Sequence, residues 1–276
     1  MTIHRGGEVA LEYDLHEGTG DPTVLIHGSL VDRRTWGAVA GALAHSLPVL
    51  AYDRRGYGGS TGPARTDPVR DDARDLAGLL ESTEFYPAHL VAHSYGGAVA
   101  LRLAEERPEL VRSVVLHEPP MIRLAAEDPD LSAEARRWAA GGEQIRALLR
   151  AGMAESAARE VVNAFSTKGG AWDRLRPEAR QAAVAYMGLW SDEFRDLERI
   201  ERQELASSDL WIPVLVTSGE LSPPLVRRIA SLLALSLRNA TERTIPGTGH
   251  APHLTAPDRY VAIVLAFLLE RNVPPT

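Results

Sequence analysis

The chain has 276 residues, 45% of them hydrophobic and 24% charged, a balance that suits a folded globular protein and argues against disorder. A net charge of -7 argues against a nucleic-acid partner, which is gripped by clustered Lys and Arg. The absence of cysteine excludes disulfides, thiolate metal sites and a Cys nucleophile.

Taken in chain order, Met1 to Glu8 carries no apolar signal-like stretch, so a cytoplasmic protein is expected. The alternation through Val9, Ala10, Leu11, Glu12 and Tyr13 suggests antiparallel edge strands. Short β-branched runs follow at 23–27, 48–52, 88–93, 111–117, 213–218 and 241–245, each read as a strand bounded by Gly, Pro or charged residues. Helical patterns lie between them at 33–45, 67–81, 95–107 and 223–237. This alternation implies right-handed βαβ crossovers and an α/β fold with a mostly parallel sheet covered by helices on both faces. The longest apolar run, 260–269, is too short to span a bilayer, so no membrane is expected.

Residues 121–206 break the pattern. They are rich in Ala, Arg, Glu and Leu at helical spacing, and Gly141-Gly142 and Lys168-Gly169-Gly170 read as breaks between helices. An all-helical stretch inserted between strands of one sheet is expected to be a cap, on a core formed by 1–120 and 207–276. Trp138, Trp172, Tyr186, Met187 and Trp190 are expected mainly in the cap interior, with one or two turned toward a pocket.

Ligands of such sheets bind at the carboxyl ends of the strands. There, 88–93 runs into Ser94-Tyr95-Gly96-Gly97 and a helix. A Ser between strand and helix, flanked by very small residues, fits a nucleophile elbow, although Ser also caps helices often. Ala92 stands two residues before Ser94, where Gly is commoner. His27-Gly28-Ser29 follows the first parallel strand, where a loop can offer the Ser29 N–H to an oxyanion, with the Tyr95 N–H as second donor. Pro246-Gly247-Thr248-Gly249-His250 follows the last strand and places a His on a loop that can reach Ser94. The Asp53-Arg54-Arg55-Gly56-Tyr57-Gly58-Gly59-Ser60 loop lacks the position and the later acid of a dinucleotide site and is assigned to structure, with Asp53 and Arg54 tying loops together. Three of the nine histidines, His27, His93 and His117, end strands, but each belongs to one of these motifs. Neither a metal nor a cofactor is expected.

Together, His27-Gly28, the Asp53 to Ser60 loop, Ser94 with Gly96-Gly97, and Gly249-His250 resemble the α/β-hydrolase family over residues 20–118 and 207–271, leaving the cap uncovered. The resemblance implies a serine hydrolase with Ser94 as nucleophile and His250 as base. Most members carry the acid at the position that is Ser222 here. Two acids remain, Glu220 in the same loop and Glu118 at the end of 111–117. Glu118 is favoured, because the zearalenone lactonases are similar in placing a Glu there; its alternative role is an ion pair with a cap Arg. The implied substrate is a small, mostly apolar carboxylic ester or lactone, with a zearalenone-type macrolactone among the candidates. A receptor-like ligand-binding protein and a cofactor-free lyase or cyclase on the same scaffold are the competing readings.

Overall fold

The computed structural model describes residues 2–199 and 210–270. Eight strands form one sheet: β1 (Thr2–Gly6), β2 (Val9–His16), β3 (Thr23–Ile26), β4 (Val49–Tyr52), β5 (Ala88–His93), β6 (Val111–His117), β7 (Val214–Gly219) and β8 (Ala240–Ile245). Their spatial order is β1-β2-β4-β3-β5-β6-β7-β8. The β1–β2 hairpin is antiparallel and pairs with β4 in antiparallel sense; every other pairing is parallel.

Side chains alternate across the sheet, and each face buries its own layer. Val24, Ile26, Leu50, Leu90, Val114 and Val216 pack with α2 (Pro68–Thr83), α3 (Tyr95–Glu106) and α10 (Pro224–Ser236). Leu25, Val49, Ala51, Val91, Val115 and Leu215 face α1 (Gly37–Leu43) and α11 (Pro257–Glu270) on the other side. The expected helix at 33–45 begins instead as a 3₁₀ turn, Arg33–Trp36, because the Asp32 carboxylate accepts the Arg34 N–H and fixes the entry before α1 starts.

Between β6 and β7 the chain inserts α4 (Ile122–Ala126), α5 (Ser132–Arg150), α6 (Ala154–Ala164), α7 (Ala171–Arg174), α8 (Pro177–Ala185) and α9 (Met187–Arg199), with no strand among the described residues. The expected 206/207 boundary lies outside the described residues. The insertion has its own apolar interior of Ala157, Ala158, Val161, Trp172, Met187 and Trp190, into which Leu30 of the core projects.

Lys168-Gly169-Gly170 does separate α6 from α7, with Gly169 and Gly170 at positive φ. Gly141-Gly142 does not break a helix, because α5 runs through both. Gly142 serves packing: a Cβ there would sit 2.4 Å from Phe194 Cε1, so only a bare Cα lets α5 and α9 approach. No helix among the described residues is long and apolar enough to cross a membrane.

Candidate active site

The chain turns sharply out of β5 at Ser94, whose φ of 50° and ψ of -124° lie outside the usual regions for an L-residue. The turn is fixed by Ser94 N–H donating to the His117 carbonyl at 2.9 Å and Gly97 N–H to the Ser94 carbonyl at 2.8 Å. Gly96 permits it, since a Cβ there would lie 2.6 Å from the Ile26 carbonyl oxygen. Ala92 is accommodated inside the core layer, so its extra methyl does not prevent the turn. Ser94 is buried and opens α3, whose first N–H groups, Tyr95 among them, have no partner within the helix.

The loop after β3 lies directly against this turn. A Cβ on Gly28 would stand 3.0 Å from Ser94 Cβ and 2.8 Å from His93 Nδ1. The loop's carbonyls are held from behind: Arg54 donates from Nε to His27 O at 3.2 Å and from Nη2 to Gly28 O at 3.1 Å. His27 Nε2 accepts the Arg54 N–H at 3.0 Å, which leaves the ring proton on Nδ1 to donate to Gly28 O at 2.7 Å. Burial and the nearby Arg54 charge lower the His27 pKa to about 3, so the ring stays neutral in this role. Asp53 accepts from the Arg33 N–H and guanidinium and from Gly59 N–H, so the 53–60 loop ties its neighbours together as its sequence suggests.

At the end of β6, Glu118 takes φ +46° and turns its carboxylate toward the loop that carries His250. Oε2 lies 2.7 Å from His250 Nδ1, and Oε1 accepts the Gly219 N–H at 2.7 Å. Burial alone would raise its pKa, but the His117 imidazole and the hydrogen bond and charge of His250 outweigh it and bring it down to about 2. The buried Ser222 hydroxyl lies near enough to help keep Glu118 charged while falling short of hydrogen-bond geometry. Glu220 is engaged elsewhere: its Oε2 accepts the Gly247 N–H at 2.8 Å and braces the His250 loop from outside.

Three further histidines surround His250. His93 Nε2–H donates to the His250 carbonyl at 2.8 Å, and the two rings lie 4.7 Å apart. His253 stacks obliquely on His93 at 4.5 Å, and His117 bonds Thr217 at 2.9 Å. Burial, reinforced by the other imidazoles, holds His93 well below its ordinary pKa and His253 at about 3; His117 falls to about 4, burial outweighing the adjacent Glu118. This cluster is therefore neutral scaffolding around an imidazole that is hydrogen-bonded to a carboxylate. Among the described residues, no group of three or more His, Asp or Glu is arranged to hold a metal ion.

Ser29, Ser94, Tyr95, Glu118 and His250 thus all follow the carboxyl ends of strands, at one end of the sheet. The structure also adds residues that sequence reasoning missed. Phe165, just past α6, lays its ring on His250 at 4.1 Å with the planes 20° apart. Glu193 of α9 is buried and accepts from Ser29 Oγ at 2.5 Å and Arg54 at 2.7 Å. A narrow cleft runs beside Glu118, lined by Pro119, Ile122, Trp138, Phe165, Phe194 and Leu197 among others. Of the five cap residues named from sequence, Trp138 faces this cleft, while Trp172, Met187 and Trp190 are interior. Tyr186 clamps the insertion to the core instead, accepting the Gly58 N–H at 2.9 Å and donating to Asp32 at 3.3 Å.

Comparison with known proteins finds relatives and solved structures of similar fold. A 2-hydroxymuconate semialdehyde hydrolase of Pseudomonas sp. (strain CF600) is 42% identical over 108 residues, covering 37% of this chain and 38% of that protein, so the match spans well under half of either. Pyrrolizixenacetamide deacetylase of Xenorhabdus hominickii is 26% identical over 97% of this chain and 98% of its own. A thermophilic esterase from Thermogutta terrifontis, solved with malate bound, superposes with a TM-score of 0.75 at 25% identity, covering 97% of this chain and 96% of that one. Residues 23–263 match the Alpha/beta hydrolase family from the first parallel strand to the last helix, and the chain belongs to that family.

Proposed function

We propose that this hydrolase is a serine enzyme that cleaves a carboxylic ester or lactone through an acyl-enzyme. The observation that carries the reading is the 2.7 Å contact between His250 Nδ1 and the charged, buried Glu118, beside a strained serine at a strand–helix turn. With the proton fixed on Nδ1, Nε2 is left as a base for the Ser94 hydroxyl. Ser94 Oγ attacks the carbonyl carbon, and the oxyanion is received by the Ser29 and Tyr95 N–H groups. The imidazolium returns its proton to the leaving alkoxide, which departs as the alcohol. Water then attacks the acyl-enzyme with His250 again as base, releasing the acid and restoring Ser94. In a lactone the alcohol and acid remain one molecule. The relatives' names, an esterase and a deacetylase among them, fit acyl transfer of this kind. The apolar lining of the cleft favours a small, mostly apolar substrate, and a zearalenone-type macrolactone belongs in the substrate panel.

The test is labelling with a fluorophosphonate probe together with turnover of nitrophenyl esters and a lactone series. The wild type should label and turn over at least one member. Ser94→Ala should lose both while keeping its circular dichroism. Labelling that survives the substitution removes Ser94 from the mechanism. Tight ligand binding without labelling or turnover would favour a receptor-like protein, and product formation without hydrolysis would favour a lyase or cyclase.

A further inference from the structure

The buried charges beneath the insertion are balanced. Arg54 and Arg65 face Asp72 and Glu193, and all four side chains are almost fully excluded from solvent. Arg54, Arg65 and Asp72 belong to the core; Glu193 alone comes from the insertion, on α9. The hydrogen-bond partners of Glu193 among the described residues are donors. Oε1 accepts from Arg54 at 2.7 Å, Tyr57 at 2.9 Å and Arg65 at 3.1 Å, and Oε2 accepts from Ser29 Oγ at 2.5 Å.

Two of those donors act on one peptide unit. The carbonyl of Gly28 and the N–H of Ser29 belong to the same planar trans peptide, so they point in opposite directions. Arg54 grips the carbonyl, and the N–H is thereby directed away from Arg54. Glu193 holds Arg54 and also holds the Ser29 side chain that follows this peptide. The next residue, Leu30, at φ +64°, inserts its side chain among the apolar residues of the insertion. Consecutive residues of the loop are therefore fastened to the cap, one by a charge-assisted hydrogen bond and one by packing.

We propose that Glu193 is a positioning residue for the oxyanion donor: by holding Arg54 and Ser29 together it aims the Ser29 N–H at the reacting carbonyl oxygen, so that seating of the cap completes the oxyanion hole. The proposal rests on the reading of Ser94 as an acyl-transfer nucleophile. A carboxylate is required because an amide would present an NH₂ donor to another donor on one of its two sides.

The full-length Glu193→Gln protein tests this. On a nitrophenyl ester, kcat should fall roughly 10- to 100-fold with KM changed less than about threefold, since a misaimed donor approaches the effect of a missing one. Affinity for a phenylboronic acid, which forms a tetrahedral adduct with an active serine, should fall in parallel with kcat, while affinity for an unreactive ether analogue of the ester should hold. Amide hydrogen exchange should quicken in 28–31 and not in α3. Glu193→Asp, which keeps the charge on a shorter arm, should fall between wild type and Glu193→Gln. If Glu193→Gln does not fold, Ser29→Ala keeps the peptide N–H, removes only the hydroxyl's bond, and should lower kcat roughly three- to tenfold.

An unchanged kcat, an equal loss of ether and boronate affinity, or unaltered exchange in 28–31 overturns the proposal. Should the wild type neither label nor turn over an ester, the acyl-transfer reading falls, and exchange in 28–31 alone decides whether Glu193 holds the loop.

Discussion

At the scale of single residues, the acid partner of His250 offers the sharpest test. Glu118→Gln keeps the shape but removes the charge that stabilises the imidazolium and fixes the tautomer, so kcat should fall by about 10⁴. The Glu220 carboxylate accepts the Gly247 N–H, and Glu220→Gln should cost roughly tenfold or less. Steady-state kinetics of both variants on one ester, with circular dichroism to verify the fold, separates them; a crippled Glu220→Gln beside a near-normal Glu118→Gln would transfer the role to Glu220. The sequence singles out Ser94 and His250 as candidates by local pattern, since each follows a strand, whereas Glu118 is favoured over Glu220 only through the family resemblance. Phe165 and Glu193 are invisible to such reasoning. Each is an ordinary residue of a helical stretch, and its meaning arises from contacts with positions 85 and 164 residues away in sequence, to His250 and to Ser29. Ser222 shows the opposite case: it stands where the resembling family usually carries an acid, and it is buried beside the Glu118 carboxylate.

At the scale of elements, β5, β6 and their connecting helix are legible to within a residue or so, since runs buried on both faces are nearly continuous in apolar residues. The insertion is legible as helical but not in its internal divisions. Gly141-Gly142 misleads because glycine marks either a break or a close approach, and only the position of Phe194 distinguishes the two. Gly142→Val should therefore force apart α5 and α9 rather than merely alter helix propensity. A loss of about 1–3 kcal/mol is expected from overpacking, visible as a lower Tm. Because Phe194 also lines the cleft, relative rates among esters of different size should shift as well. A variant with wild-type Tm and unchanged selectivity would show that the ring moves aside freely.

For the whole molecule, the buried histidines set the response to acid. His27, His93, His117 and His253 all have pKa values below their ordinary 6.5 because burial disfavours the charged ring. Below pH 6.5 the unfolded chain takes up protons at these sites that the folded chain refuses, so stability falls as pH falls. Each site contributes about 1.4 kcal/mol per pH unit once the unfolded ring is protonated and the folded one is not. Glu118 adds nothing to this slope near pH 6, since its stabilising effect is lost only as pH drops below the unfolded value of 4.5 and on through about 2. Urea titrations at pH 7, 6 and 5 should show a steep decline, and His253→Asn should flatten it; equal slopes would show that this ring is charged in the folded state. The seam between insertion and core has a thermal consequence of its own. Its four balanced charges lie where salt screens them little. Hydration of ions weakens on warming, so the penalty for keeping such charges dry shrinks as temperature rises. Heat should thus loosen the outer faces of the cap before it loosens this seam, and the joint between the two halves should be relatively strongest at temperatures where an apolar joint gains nothing further.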